Sequence, residues 1–185
     1  MRVNDQRLHF DTVVEGLWHR ALKGRVSDDL RAALKADGLD LSKKPDPAYP
    51  AEKMGRWYRL TAKHVFPELN EEDALRALGA EAFRGLTRTV MGAAMMAVLR
   101  VLGTRRSLER MTRSMRSGNN YIEATFSSAG RGEATLVFKD VNGLPSYFAG
   151  VVEEGGRATG AADMVSTWNM APDGSCTYHV KWTER

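Results

Sequence analysis

The feature that most limits what this chain can fold into is a change of apolar period at Gly118. Before it, apolar residues recur at every third to fourth position, the spacing that puts them on one face of a helix. After it, Tyr121, Glu123 and Thr125 alternate with Ile122, Ala124 and Phe126, which is the period of a strand. The turn residues SAGRGE then lead into ATLVFK, a hairpin, and DMVSTWNM, APDGS and CTYHVKWT form a second one, with Cys176, Tyr178, Val180 and Trp182 on a common face. Between the hairpins a helix begins near Pro145, with Tyr147, Phe148, Val151 and Val152 on one side. The expected class is α+β: an N-terminal helical bundle packed on a small antiparallel sheet made of two hairpins joined by a helix. One domain of 185 residues is long enough for a real core, with a helical part over about 1–117 and a hairpin-helix-hairpin part over about 118–185.

Within the helical part, Thr12 and Glu15 have the spacing of a capping box and predict a helix from about Val13 to Lys23. Ser27 caps a second helix that Gly38 ends. After the Pro-rich linker SKKPDPAYP, Pro50 at a first helical position opens a third, with Met54, Trp57, Tyr58, Thr61, Ala62 and Val65 as its stripe. Asn70, followed by Glu71, Glu72 and Asp73, starts a fourth. Gly92 to Leu102 is apolar on nearly every side and reads as the buried central helix, its small residues Gly92, Ala93, Ala94 and Ala97 allowing close approach. Gly103 stops it, and Thr104 caps the next.

That next helix carries RRSLERMTRSMRSGNNY, residues 105–121, in which five arginines face one glutamate. Leu108, Met111 and Met115 cluster on one side of a helical wheel, with Arg106, Arg110 and Arg113 opposite and Arg105 and Arg116 at the margin. Two readings stay open. The arginines are the solvated face of a structural helix, or Arg106, Arg110, Arg113 and Arg116 hold phosphates or a partner's carboxylates. The whole chain is only mildly basic, with 27 Lys and Arg against 23 Asp and Glu, so anion attraction must come from such local clustering.

Catalytic and metal signatures are missing from the pattern. His9, His19, His64 and His179 have no metal-ligand spacing, and no catalytic or metal residue is assigned. Cys176 is the only cysteine, which excludes an internal disulfide; it reads as a small buried hydrophobe in a chain of a reducing, cytoplasmic compartment. The N-terminus lacks an apolar signal core, and Val90–Leu99 is about half the ~20 residues of a membrane span. Trp18, Trp57, Tyr58, Phe83, Tyr121, Phe126, Phe148 and Trp182, with Met54, Met91, Met95, Met96 and Met111, are expected to face inward, as core or as a pocket lining.

The segments LWHRAL, AYP, FPELNEEDALRALGAEAFRGL, RRSLERMTRSMRSGNNYIEATF, GLPSYFAG and CTYHVKW resemble, over nearly the whole chain, a paralogous domain family of myxobacteria of unassigned function. The landmarks are AYP before a helix, LERM in the arginine-rich segment, the GNNY step and the closing TYHVKW; none is catalytic. In layout the chain also resembles the haem-nitric-oxide-binding domain, part of a wider group of ligand-binding domains in signalling and Golgi transport. That likeness implies an iron-ligating histidine after the helix preceding the first hairpin, and a Tyr-x-Ser-x-Arg motif for the haem propionates. At the corresponding places stand Tyr121, in NNYIEA, and FKDVN, residues 138–142. Both requirements fail, so no cofactor is expected, and an apolar cavity between helices and sheet is what the resemblance leaves.

The expected function is a non-catalytic ligand-binding or regulatory module, taking a small apolar or amphipathic ligand or a protein partner. Trp57, Met111, Asn119, Asn120, Tyr121 and Phe148 are the candidate ligand-binding residues, although Asn119 and Asn120 also suit a helix-terminating turn. Anion, nucleotide or nucleic-acid binding through the arginine helix is the alternative; against nucleic acid stand the narrow charge and the lack of an aromatic-basic strip. A homodimer is left open.

Overall fold

The first element among the described residues is a strand too short to be read from its sequence: β1 (Leu8–Phe10) pairs antiparallel with β2 (Ala48–Pro50), His9 opposite Tyr49. The computed structural model describes residues 6–88 and 90–183, without the side chains of Val90 and Met91; the expectation that Met91 faces inward therefore lies outside the described residues. After β1, α1 (Asp11–Val14) passes directly into a π-helical segment, Glu15–Ala21. The expected capping box is not formed: Phe10 precedes the helix, Thr12 lies inside it, and Glu15 pairs with Arg20 at 2.5 Å instead. Ser27 does cap α2 (Asp28–Ala36), accepting from Leu30 N at 3.2 Å, and Gly38 turns the chain at φ +95°. Pro50 ends β2 in an extended conformation just before α3 (Ala51–Val65), one position earlier than expected. Asn70 Oδ1 accepts from Asp73 N at 2.9 Å and starts α4 (Glu71–Thr87).

α5 (Val90–Leu102) and α6 (Thr104–Ser114) follow, α6 ending in a 3-10 turn over Met115–Ser117. Gly103, at φ +77°, precedes α6, and the Thr104 hydroxyl donates to Thr159 O rather than capping. β3 (Ala124–Gly130) and β4 (Glu133–Phe138) form the first hairpin, with an irregularity between Ser128 and Gly130. α7 (Pro145–Ala158) leads to the second, β5 (Val165–Met170) and β6 (Cys176–Lys181). The hairpins join into one antiparallel sheet of order β3-β4-β6-β5, with Leu136 opposite Tyr178 and Phe138 opposite Cys176. Cys176, Tyr178 and Val180 alternate into the core as their period requires, and Tyr178 donates to Pro145 O at 2.9 Å, fixing α7 to the sheet.

The expectation of α5 as buried central helix is overturned. Among the described side chains of α5 only Gly92, Met96 and Leu99 are buried; Ala93, Ala94 and Ala97 are exposed, Val98 is 51% and Val101 87% exposed. An all-apolar sequence does not by itself select a face, and here α5 adds a small satellite cluster on Phe83. The central seam belongs to α4 and α7. Their close approach is made by Gly79 and Gly150: a Cβ on Gly79 would lie 1.9 Å from Tyr147 O, and one on Gly150 1.9 Å from Arg76 O. No single helix among the described residues is long and apolar enough to cross a membrane.

Candidate functional site

The step from α6 into the sheet is stitched to β1. Phe10 N donates to Gly118 O at 2.9 Å and Asn120 N to Leu8 O at 3.1 Å. Asn119 is buried; its Nδ2 donates to Met115 O at 2.8 Å while Oδ1 accepts from Ile122 N at 2.7 Å and Tyr121 N at 3.2 Å. Asn120 is exposed, and its amide bridges Leu8 N and Gln6 O. Both side chains thus carry the turn, the second of the two roles their sequence allows.

Beside them lies a polar cluster. Tyr121 OH is 2.7 Å from His9 Nε2. The Arg7 guanidinium sits 5.6 Å from the centre of the Tyr121 ring and 2.7 Å from Asp140. Burial pushes His9 down to about 4, so its imidazole is neutral near pH 7, and its Nδ1 has no hydrogen-bond partner among the described residues. Burial, reinforced by Asp140, also pushes the Tyr121 phenol above its ordinary range. Behind the cluster Tyr58 stacks between Trp18, at 5.8 Å, and Tyr147, at 4.4 Å.

The six residues expected at a pocket do not share one set of neighbours. Trp57 is fully buried, edge-on to Tyr49, with its indole N–H directed at Asp37 O. Phe148 packs against Phe138 and Tyr147. Met111, half-buried, covers Gly155 and Phe83. Only Asn119, Asn120 and Tyr121 are together. Cys176 is buried on the inner sheet face, where burial raises its thiol pKa. Among the described residues no three His, Cys, Asp or Glu are grouped to hold a metal ion.

All four candidate anion-binding arginines are exposed. Arg113 pairs with Glu109 at 2.6 Å and Arg116 with Glu123 at 3.3 Å. Arg106 and Arg110, like Arg105, have no ion-pair partner among the described residues.

The sequence reading missed a groove of about 520 Å³ between α3 and α4. Leu60, Ala62, Phe66, Leu69 and Ala74 line it, and Arg56, Arg59, Lys63, Asp37 and Glu71 border it. Arg56 holds Asp37 through two 3.1 Å bonds, keeping that carboxyl below its usual range. Arg59 binds Glu71 at 3.2 Å and Gly143 O at 3.0 Å. Lys63 is exposed and has no ion-pair partner among the described residues. The available signal was the apolar set Leu60, Phe66 and Leu69, which spans the end of α3 just before Pro67.

Comparison with solved structures gives the fold as that of H-NOX domains. An H-NOX protein from S. oneidensis in the Fe(II) ligation state aligns with a TM-score of 0.70 at 8% identity, over 95% of this chain and 96% of that one. An oxygen-binding H-NOX domain related to soluble guanylate cyclases gives 0.63 at 10%, over 94% and 95%. An unliganded Fe(II) H-NOX variant from K. algicida gives 0.62 at 9%, over 95% and 97%. No curated protein sequence matches the chain.

The residues here do not fit haem. A porphyrin needs a slot hundreds of Å³ in volume and an axial donor. Between α3, α7 and the sheet stand instead Tyr58, Tyr147, Phe138, Phe148 and Tyr178, each at most 5% exposed, with adjacent ring centres 4.4–5.7 Å apart. Tyr121, where the sequence resemblance leads one to expect an iron ligand, is a neutral phenol tied to His9. Residues 7–183 match the sequence pattern of a family of proteins of unknown function, DUF2378, and the chain accordingly belongs to that family.

Proposed function

We propose that this chain is a non-catalytic regulatory module that takes a small amphipathic ligand, with one anionic head and an apolar tail, in the α3–α4 groove. What supports the reading is the pairing of an apolar lining, Leu60, Phe66 and Leu69, with one uncommitted cation, Lys63, at the edge of a groove of ligand size. Arg56 and Arg59 are already held by Asp37 and Glu71, which favours a singly charged head over a phosphate cluster. The ligand class is the one the sequence suggests, while the helix-sheet interior is closed by its own aromatic rings and the groove lies outside it.

Titration calorimetry with decanoate tests this. Saturable binding with a negative heat-capacity change is expected from apolar burial. Leu69→Asp and Lys63→Glu, both at exposed positions, should each weaken it at least about tenfold, ~1.4 kcal/mol. Absence of binding, or binding untouched by both substitutions, overturns the reading.

A further inference from the structure

α5 and α6 together present an uncovered apolar stripe beside uncompensated positive charge. On α5, Ala94, Ala97, Val98 and Val101 follow i, i+3, i+4, i+7 spacing and all face outward, opposite the buried Gly92, Met96 and Leu99. The α6 face that packs inward is equally defined: Ser107 and Leu108 are buried, and the Ser107 hydroxyl donates to Leu99 O at 2.7 Å, locking the two helices side by side. Only Gly103 and Thr104 separate Leu102 from Arg105, so the exposed Val101 and the exposed Arg105 and Arg106 follow one another closely along the chain.

The charge there is unusually placed. Arg105 and Arg106 occupy the first turn of α6, which has no acidic residue, and a helix N-terminus disfavours cations. Arg105, Arg106 and Arg110 have no ion-pair partner among the described residues. An anionic partner would relieve both the dipole conflict and the mutual repulsion.

We infer that this face docks an amphipathic helix of a partner protein, with its apolar stripe on Ala94, Ala97, Val98 and Val101 and its carboxylates on Arg105, Arg106 and Arg110. The small side chains of α5 let another helix approach within roughly 8–10 Å axis to axis, and an apolar face with charged flanks is the helix-in-groove mode of recognition. A second copy docking by twofold symmetry presents the same surface, and its α5 carries no acidic residue to meet these arginines. A lipid surface is favoured by aromatic and leucine side chains on the inserting face, and the exposed stripe has neither.

The probe is a designed amphipathic peptide of about 18 residues, long enough to be helical on the surface, with a leucine stripe flanked by glutamates. A twin carrying lysines in place of the glutamates is the control. By fluorescence anisotropy the acidic peptide should bind at least about tenfold tighter than its twin, and the preference should shrink with added salt. Val101→Asp and the triple change Arg105→Glu, Arg106→Glu, Arg110→Glu should each remove binding without lowering the circular dichroism melting temperature, since every altered residue is exposed and glutamates in the first turn of α6 suit the helix dipole. Equal binding of the two peptides, or binding insensitive to both variants, overturns the inference. So does a concentration-dependent dimer lost with Val101→Asp, or preferential flotation with phosphatidylserine vesicles.

Discussion

Replacing Glu153 with alanine should cost about 3 kcal/mol. Glu153 lies on α7 with its side chain 4% exposed. Its Oε1 accepts from Arg76 of α4 at 2.5 Å and from both the backbone N–H and hydroxyl of Ser166 in β5, at 2.9 and 2.8 Å. One carboxylate therefore ties two helices to the sheet edge, and Arg76, held over the Trp168 ring at 4.9 Å, depends on it. Removing one member of a buried ion pair costs about 3–5 kcal/mol. Arg76 keeps 28% of its side chain exposed, so it can recover some hydration, which argues for the low end. Ser166 loses its acceptor in β5, at about 1 kcal/mol within that total. For a domain of this size each kcal/mol lowers Tm by roughly 2–4 °C, giving a drop of roughly 6–12 °C. Glu153→Gln retains an acceptor for Ser166 and should lose about half as much. Urea unfolding followed by tryptophan fluorescence, with an unchanged m-value, gives both numbers. A loss below about 1 kcal/mol for alanine, or equal losses for alanine and glutamine, would refute the argument that the charge is the tie.

Three further outcomes follow from the same geometry. His9 titrates at about 4 when folded and near 6.5 when unfolded; a depressed histidine contributes its stability in full above about 6.5 and loses it as pH falls toward 4, by up to about 3 kcal/mol. His9→Gln should flatten that part of the stability-pH curve, and identical slopes in both proteins would contradict it. Gly150→Ala places a methyl 1.9 Å from Arg76 O, forcing α4 and α7 apart at a cost of about 3 kcal/mol, whereas Gly16→Ala, whose nearest atom would be at 3.9 Å, should leave stability unchanged or raise it by up to about 1 kcal/mol, because alanine is the better helix former; denaturant midpoints compare them. Arg110→Glu, exposed and unpaired, should shift stability by less than about 0.5 kcal/mol in the same assay.

Elements with a strong period were legible in the sequence. Ser27 and Asn70 fix helix starts through bonds local to a few residues, and the alternation Cys176, Tyr178, Val180 specifies a buried face outright. What failed depends on distant partners. The uniformly apolar α5 gives no preferred side, so its burial is decided by what α4 and α7 leave uncovered. Their seam turns on Gly79 and Gly150, whose small size shows no purpose until the helices cross. β1 and β2, three residues each, carry too few positions for a period to register. The widened turn through Glu15–Ala21 shifts the spacing that a regular helix would keep. At the candidate site, Asn119 and Asn120 were legible as turn formers. The groove was not, because Leu60, Phe66 and Leu69 come from the end of one helix and the connection to the next.

Tyr58, Tyr147 and their aromatic neighbours close the interior of an H-NOX-like frame, and the recognition proposed above falls to outer surfaces. Spectrophotometric titration of the purified protein with haemin tests it most directly. No stoichiometric Soret band should develop, and Tyr121→Phe should change nothing in the spectrum; a one-to-one Soret band abolished by Tyr121→Phe would contradict the claim.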